Sequence, residues 1–205
     1  MQTRASLDSL GRGARDLGVL TLLLLAAPDL AGVVRLDGEV PPQGAVVTAS
    51  DPACGRRAPV DFMLDEDRLG NVLVWIDDAP PEPPPVHAPP TVIELEECAF
   101  RPQIAGMRAG TWLEVVNHDP TLHTVRASGM FHWVLPGPGS RRKVRLDEPR
   151  VMVELTDEVH QWMWAHLAVL PHGRFGVTDA NGAFAIDLEG LPPGTYTLRF
   201  WHERL

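Results

Sequence analysis

The sequence predicts an all-β fold built as an antiparallel sandwich, and two observations support this prediction. The chain has 205 residues with 20 prolines and 18 glycines, and short apolar runs recur between turn residues. Beyond residue 31, no long segment places its apolar residues at the helical period. Strands at this spacing, without helices between them, indicate antiparallel sheets packed face to face.

The alternation of side chains gives the individual strands. Segment 91–97 alternates apolar and acidic residues, as an antiparallel strand with one solvent-exposed face does. Segment 79–90 contains seven prolines and is predicted to be a polyproline loop between strands, because proline cannot donate a ladder hydrogen bond. The other strands predicted in this part of the chain are 33–40, 45–49, 71–76, 100–106, 112–117, 123–127, 141–146, 151–155 and 164–170.

Two turns mark the C-terminal region. Residues 179–182 (DANG) and 191–194 (LPPG) are turn sequences, because glycine and asparagine accept positive φ and proline fixes φ for a tight turn. The strands that they delimit, 183–188 and 195–202, are predicted to pair as a C-terminal β-hairpin.

The first 31 residues are predicted to be a signal peptide. Three arginines precede an apolar run at 18–27, and Ala27 or Ala31 could mark the cleavage site. The alternative is an apolar N-terminal helix that stays uncleaved. The run is too short to span a bilayer comfortably, so no stable membrane span is expected. We therefore expect a periplasmic or secreted protein.

The charge of the chain limits its partners. There are 27 acidic residues against 18 Lys and Arg, which argues against nucleic acid as a partner. The sequence contains no nucleophile elbow, phosphate-binding glycine loop or zinc-protease helix motif, and no carboxylate pair with catalytic spacing. We therefore expect a protein that is not an enzyme, and whose partner is a redox protein or another protein of the cell envelope. The oligomeric state does not follow from the sequence.

The two cysteines suit an exported protein. In an oxidising compartment Cys54 and Cys98 are expected to form a disulfide, which would stabilise the fold by roughly 3–4 kcal/mol in the chain-entropy model. The rival interpretation makes Cys98 a metal thiolate. It is weaker, because Cys98 precedes the first candidate histidine and lies outside the short segment that carries the other candidate ligands.

Four residues have the spacing of a copper site. His123 lies in the middle of the chain, and Asp157, His160 and Met163 follow within one short segment between two strands. A blue-copper centre uses two imidazoles, a thiolate and a weak axial thioether, and here Asp157 occupies the thiolate position. Two imidazoles and a carboxylate could hold Cu(II), or Zn(II) tetrahedrally. Asn117 is predicted to support the site by a hydrogen bond to the second ligand segment.

Residues spread over most of the chain carry a family resemblance. They are Cys54, Gly55, segment 71–75, Cys98, Phe100, Pro102, Val116, Asn117, Asp119, His123, His160, Trp162 and Met163, and in the tail Val177, Thr178, Asp179, Gly182, Phe184, Leu191, Pro192, Pro193, Gly194, Tyr196, Trp201, His202 and Glu203. On these residues the chain resembles exported plastocyanin-like proteins, often labelled methylamine-utilisation proteins. In that family a cupredoxin sandwich is joined to a carboxypeptidase-regulatory-like hairpin.

The resemblance implies a fold and a function. It implies a Greek-key, cupredoxin-like sandwich over 32–172, with the hairpin 173–205 packed on it, and a copper-binding protein that handles copper or transfers electrons. Two departures qualify this. Asp157 replaces the copper cysteine, and segment 172–175 reads HGRF where the family commonly has HPYF. The alternative is a metal-free interaction module of the cell envelope with a vestigial copper site.

Overall fold

The structure is a computed structural model, which describes residues 20–23, 29–40, 47–48, 51–57 and 63–205. The regular elements of these residues are all strands, so the all-β prediction is confirmed. They are β1 (Leu20–Leu23), β2 (Asp29–Val33), β3 (Val47–Thr48), β4 (Arg56–Arg57), β5 (Leu64–Asp65), β6 (Arg68–Leu69), β7 (Leu73–Ile76), β8 (Thr91–Glu96), β9 (Ala99–Arg101), β10 (Ile104–Arg108), β11 (Thr111–Asn117), β12 (His123–Ala127), β13 (Phe131–Leu135), β14 (Arg141–Leu146), β15 (Arg150–Asp157), β16 (Trp164–Leu170), β17 (Phe175–Val177), β18 (Ala183–Asp187) and β19 (Thr195–Trp201). Within the described ranges, no helix is long and apolar enough to cross a membrane.

The contacts of the described residues divide the chain into two compact units. One consists of Gln43–Asp61 and Glu82–His172, and the other of Met1–Pro42, Phe62–Pro81 and Gly173–Leu205. The sandwich was predicted to cover residues 32–172, but residues 32–42 and 62–81 of that range belong to the same unit as the C-terminal tail. The pairing explains this, because β7 is hydrogen-bonded to both β17 and β19.

The unit that contains residues 82–172 is a β-sandwich. Its two main sheets have the strand orders β10-β16-β15-β12-β13 and β14-β11-β8-β9. Apolar side chains from both sheets form one buried core, among them Ile93 and Leu113 from one sheet and Leu155 and Leu167 from the other. Two pairs, β8 with β11 and β10 with β16, are parallel, so the sheets are mixed rather than purely antiparallel as predicted.

The other unit contains the C-terminal strands, but not as a hairpin. The strand β19 pairs with β1 and β7, whereas β18 pairs with β2. The two strands therefore lie in different sheets, and the predicted hairpin is wrong. The reason is that β2 and β7, from distant parts of the chain, supply the partners of β18 and β19, and both strands bury apolar side chains, Ile186 and Leu198, in the core of this unit. The turn at 191–194 connects two sheets instead of two paired neighbours.

The N-terminal predictions lie largely outside the described residues. Residues 1–19 and 24–28 of the predicted leader are among those not described, as are 45–46 and 49 of the predicted strand 45–49. Within the apolar run, Leu20–Leu23 forms β1, which pairs with β19. The strand β2 includes Ala31, one of the two predicted cleavage positions, and pairs along its whole length with β18.

Candidate metal centre

Two adjacent strands bring His123 and Asp157 together. His123 begins β12 and Asp157 ends β15, and these strands are antiparallel neighbours in which Val125 lies opposite Asp157. Side chains two positions apart in a strand share a face, and so do directly opposed residues. His123 and Asp157 therefore point to the same side of the sheet. His160 approaches them from the loop that leads into β16.

The two imidazoles converge on one carboxylate oxygen. Nδ1 of His123 lies 2.6 Å from Oδ2 of Asp157, and Nδ1 of His160 lies 3.3 Å from the same oxygen. The centroids of the two rings are 4.7 Å apart. All three residues are at most 1 % exposed. The structure therefore brings together three of the four predicted ligands.

The second oxygen of Asp157 shapes the loop that follows. Its Oδ1 accepts hydrogen bonds from the backbone N–H groups of Val159 at 2.8 Å and His160 at 3.1 Å, and from the Thr124 hydroxyl at 3.2 Å. One oxygen thus fixes the loop and the other faces the imidazoles. The hydrogen bonds to Oδ1 therefore fix the orientation of the Asp157 side chain and leave Oδ2 directed at the two imidazoles.

The surroundings lower the pKa of Asp157 and raise the pKa of His123. Burial disfavours the charged form of Asp157, but the hydrogen bond from His123 and the backbone N–H donors outweigh it and hold the pKa of this carboxyl at about 2. Burial also disfavours a charged His123, yet hydrogen bonds and negative charge from Asp157 and Asp119 outweigh it and raise the pKa of the imidazole. Without a metal, the pair therefore favours an imidazolium beside a carboxylate.

Two further carboxylates lie behind the imidazoles. Nε2 of His123 is 3.0 Å from Oδ2 of Asp119, which is buried, and Nε2 of His160 is 3.5 Å from Oδ2 of Asp51. The Thr121 hydroxyl and the backbone N–H of residue 53 both donate to Asp51 and lower its pKa. Sequence reasoning did not assign either aspartate to the site. Asp119 has a sequence signal, because it lies four residues before His123 in the ligand segment, whereas Asp51 has none.

Asn117 supports its own loop rather than the second ligand segment. Its amide donates to the carbonyl oxygens of Thr121 at 2.8 Å and Leu135 at 3.1 Å, and its side-chain oxygen accepts the N–H of Asp119 at 2.8 Å. These bonds hold the turn between β11 and β12. The predicted hydrogen bond from Asn117 to segment 157–163 is not formed, because β13 and the turn itself use its polar groups.

The cysteines form the predicted disulfide. The bond joins Cys54 and Cys98 across 44 positions, with Cα atoms 5.5 Å apart. Both residues are 2 % exposed and belong to the core of the sandwich. Cys98 is therefore not a thiolate ligand in this state, and the described part of the chain has no free cysteine.

Met163 lies at the end of the ligand loop. Its backbone N–H donates to the carbonyl of His160 at 2.8 Å, and its side chain is 2 % exposed within the apolar core. Core packing explains this burial fully. A role of the Met163 sulfur as the fourth ligand therefore remains a prediction.

The donor set fits a divalent transition metal. One ligand atom from each of His123, Asp157 and His160 lies within 4.8 Å of the other two, a spread that allows bonds of about 2.0–2.2 Å to a common ion after small side-chain shifts. Nε2 of His160 is buried, makes no hydrogen bond among the described residues and lies 3.5 Å from Oδ2 of Asp51, so Nδ1 is the nitrogen that faces Asp157. Two imidazole nitrogens and one carboxylate oxygen are suitable donors for Zn(II) or Cu(II).

No protein-family model matches the sequence. No curated protein matches it either. Among solved structures, part of the chain is similar to a copper-containing nitrite reductase (NirK) from Thermus scotoductus SA-01, at 17 % identity and a TM-score of 0.37. This match covers 58 % of the chain and spans only 26 % of the length of that enzyme.

Two small proteins are also similar to part of the chain. A purple cupredoxin from Nitrosopumilus maritimus is 15 % identical over 38 % of the chain and 98 % of its own length, with a TM-score of 0.35. A methionine-to-alanine mutant of amicyanin, in its Cu(I) form, is 15 % identical over 47 % of the chain and 98 % of its own length, with a TM-score of 0.34. Similarity at this level establishes neither a family nor a ligand.

Proposed function

We propose that this protein is an exported, cupredoxin-like metal-binding protein that holds Cu(II) or Zn(II) with His123, His160 and Asp157, and with Met163 as a fourth ligand. The single observation that carries the proposal is the convergence of both Nδ1 atoms on Oδ2 of Asp157, at 2.6 and 3.3 Å, in a fully buried position. These groups hydrogen-bond one another, and a bound cation would replace the proton that His123 and Asp157 share.

The replacement of the thiolate by Asp157 determines what such a site can do. A hard carboxylate favours Cu(II) or Zn(II) over Cu(I), because the soft ligand that stabilises Cu(I) is missing. Without sulfur there is no intense thiolate-to-copper absorption. The site would therefore store, deliver or sense a metal, or act as a modified redox partner of another envelope protein. We propose no catalytic reaction for it.

A second candidate function is supported by a different observation. The imidazole and carboxylate groups already satisfy one another by hydrogen bonds, since His123 is bonded on both sides, to Asp157 and to Asp119. Such a network can hold the end of a sandwich rigid without a metal. In that case the protein is an interaction module of the cell envelope with a vestigial copper site.

Metal titration of the full chain separates the two candidates. A metal that binds only the native state raises the melting temperature, so we expect Zn(II) and Cu(II) each to raise the melting temperature of the wild-type protein. His160→Ala should abolish the increase, whereas His87→Ala should leave it unchanged because His87 is exposed in the proline-rich loop. If neither metal shifts the melting temperature of the wild-type protein, the metal-free module is the correct interpretation.

A further inference from the structure

Each imidazole of the metal centre faces a carboxylate on its outer side. Nε2 of His123 lies 3.0 Å from Asp119, and Nε2 of His160 lies 3.5 Å from Asp51. Carboxylates in this position fix the tautomer and the orientation of a ligating histidine, and removing one typically weakens metal binding about 10–100-fold. Asp119 therefore orients the imidazole of His123 through a close polar contact, whereas Asp51 acts on His160 through an electrostatic contact, since Nε2 of His160 makes no hydrogen bond.

The Cys54–Cys98 disulfide joins the two backbone segments that hold these carboxylates. The backbone N–H of Cys98 donates to Oδ2 of Asp119 at 2.8 Å. On the other side of the bond, the backbone N–H of Cys54 donates to the carbonyl oxygen of Asp51 at 3.1 Å. The disulfide thus links the turn that carries Asp51 to the group that binds Asp119.

The two carboxylates depend on the disulfide to different degrees. Asp119 has an additional support, because its own N–H is bonded to Oδ1 of Asn117 at 2.8 Å, and its side chain is only 8 % exposed. The side chain of Asp51 is 27 % exposed, and outside its own turn it is held by the hydroxyl of Thr121. Loss of the disulfide should therefore displace Asp51, and with it His160, more than Asp119.

We propose that the Cys54–Cys98 disulfide is a positioning element of the metal centre, acting on His160 through Asp51 and on His123 through Asp119. The inference rests on the proposed function, because it concerns the affinity of that same site for a divalent metal. A dithiol reductant would transfer two electrons and two protons to the sulfur–sulfur bond, giving two cysteine thiols and becoming a disulfide itself. The oxidised protein is the tight-binding form, and reduction lowers the affinity.

Reduction could also strengthen metal binding, if the freed cysteine sulfurs became ligands. The Cys54 sulfur lies within 4.8 Å of ligand atoms of Asp51 and His160, and the Cys98 sulfur lies equally close to those of Asp119 and His123. If the freed thiolates became ligands, reduction would strengthen the binding of Zn(II), which thiolates bind well.

The test measures Zn(II) affinity by competition with a chromophoric chelator, since Zn(II) does not oxidise thiols. Three forms of the full chain are compared without oxygen: the oxidised wild type, the wild type reduced with a phosphine that is then removed, and a Cys54→Ser/Cys98→Ser variant. We expect the reduced and variant forms to bind Zn(II) about 10–100-fold more weakly than the oxidised wild type. Equal affinity in all three forms, or tighter binding by the reduced wild type, would overturn the inference.

A double-mutant cycle tests the route through the carboxylates. Asp51→Asn should weaken Zn(II) binding in the disulfide-bonded chain, and should have a much smaller effect in the Cys54→Ser/Cys98→Ser background, because coupled residues are not additive. Asp147→Asn is the matched control, since the side chain of Asp147 is 67 % exposed. Full additivity of Asp51→Asn and the cysteine changes would contradict the proposed route.

Two further measurements distinguish failure of this inference from misfolding of the cysteine variant and from failure of the proposed function. Near-ultraviolet circular dichroism reports whether the cysteine variant folds. If it does not fold, Asp51→Asn and Asp119→Asn in the oxidised chain decide, and unchanged affinity in both overturns the inference. Absence of Zn(II) binding by the oxidised wild type would instead refute the proposed function itself.

Discussion

Nδ1 of His123 lies 2.6 Å from Oδ2 of Asp157, and neither side chain is more than 1 % exposed. The same two atoms would bind a metal, so a proton and a metal ion compete for the position between them. The raised pKa of His123 and the low pKa of Asp157 show that the pair prefers the proton on the imidazole when no metal is bound. Stability and metal affinity should therefore respond to pH in opposite ways.

The first prediction concerns the alkaline side. A group whose pKa is raised by folding stabilises the protein below its ordinary pKa, and this contribution is lost as the pH rises through the folded-state value. The metal-free protein should therefore become less stable as the pH rises above about 6.5, while its metal affinity increases because binding displaces the proton. Urea unfolding with and without Zn(II), from mildly acidic to mildly alkaline pH, measures both trends.

The variant His123→Gln is the critical comparison for this prediction, since it cannot bind the proton. Its metal-free stability should be flat above about pH 6.5, where the buried His202 no longer titrates. A wild-type protein whose stability shows the same flat profile would contradict the assignment of His123.

The second prediction concerns the acidic side. The pKa of Asp157 is held at about 2, below the ordinary value of about 3.9, so its contribution is present above the ordinary pKa and is lost as the pH falls through the folded-state value. The size of the shift corresponds to roughly 2–3 kcal/mol. Asp157→Asn should lose about this much stability at neutral pH, and its free energy of unfolding should change less than that of the wild type on acidification.

Denaturant unfolding between neutral pH and pH 2 measures this difference. Asp147→Asn serves as the control, because the side chain of Asp147 is well exposed beside Arg145. If the wild type and Asp157→Asn lose the same stability on acidification, the surrounding hydrogen bonds do not lower the pKa of Asp157.

The sequence predicted the all-β fold class and the proximity of Asp157 and His160, but not the long-range contacts. The spacing of Asp157 and His160 places both on one loop beside a strand end, which depends on local chain geometry, so their proximity could be predicted. Asp51 could not, because it reaches the site through Thr121, 70 positions away, and no local pattern encodes that contact. For the same reason the turn at 191–194 was predicted but the partners of β18 and β19 were not. A turn sequence specifies a change of direction, whereas the distant β2 and β7 supply the pairing.

The third prediction concerns His202, in the unit that contains the C-terminal strands. His202 is 1 % exposed, and burial together with the positive charge of Arg204 lowers its pKa to about 4. A histidine with a lowered pKa favours the folded state fully above its ordinary pKa of about 6.5, and this contribution is lost as the pH falls toward 4. Between these values the protein should lose roughly 3 kcal/mol of stability, and His202→Gln should lose less.

Chemical denaturation at pH 4, 5, 6 and 7 checks this effect. The loss of stability between pH 6.5 and pH 4 should persist in an Asp157→Asn background, because His202 and Asp157 belong to different compact units. If the change in stability between pH 7 and pH 4 is the same in the wild type and in His202→Gln, a neutral imidazole is not buried at position 202.

The fourth prediction restores the missing thiolate. If the three donors share one ion, Asp157→Cys with Cu(II) should produce an intense visible absorption band, because two imidazoles and a thiolate then surround the metal. Visible absorption during copper titration measures it, and Asp157→Ser, which has no sulfur, is the matched control. A colourless Asp157→Cys protein that still binds copper would mean that position 157 does not face the ion.

The fifth prediction concerns the mature N-terminus, should the chain be exported. All five residues of β2 pair with β18, and Leu30 packs on the core of its unit. A cut after Ala31 would remove three of these five pairs as well as β1, whereas a cut after Ala27 would remove β1 but leave β2 whole. We therefore expect cleavage upstream of Asp29, in a protein secreted from a bacterial host and measured by intact-mass spectrometry. A mature chain that begins at Gly32 would show that β2 is not needed for the folded state, and a truncated chain lacking residues 1–31 should be less stable than one lacking residues 1–27.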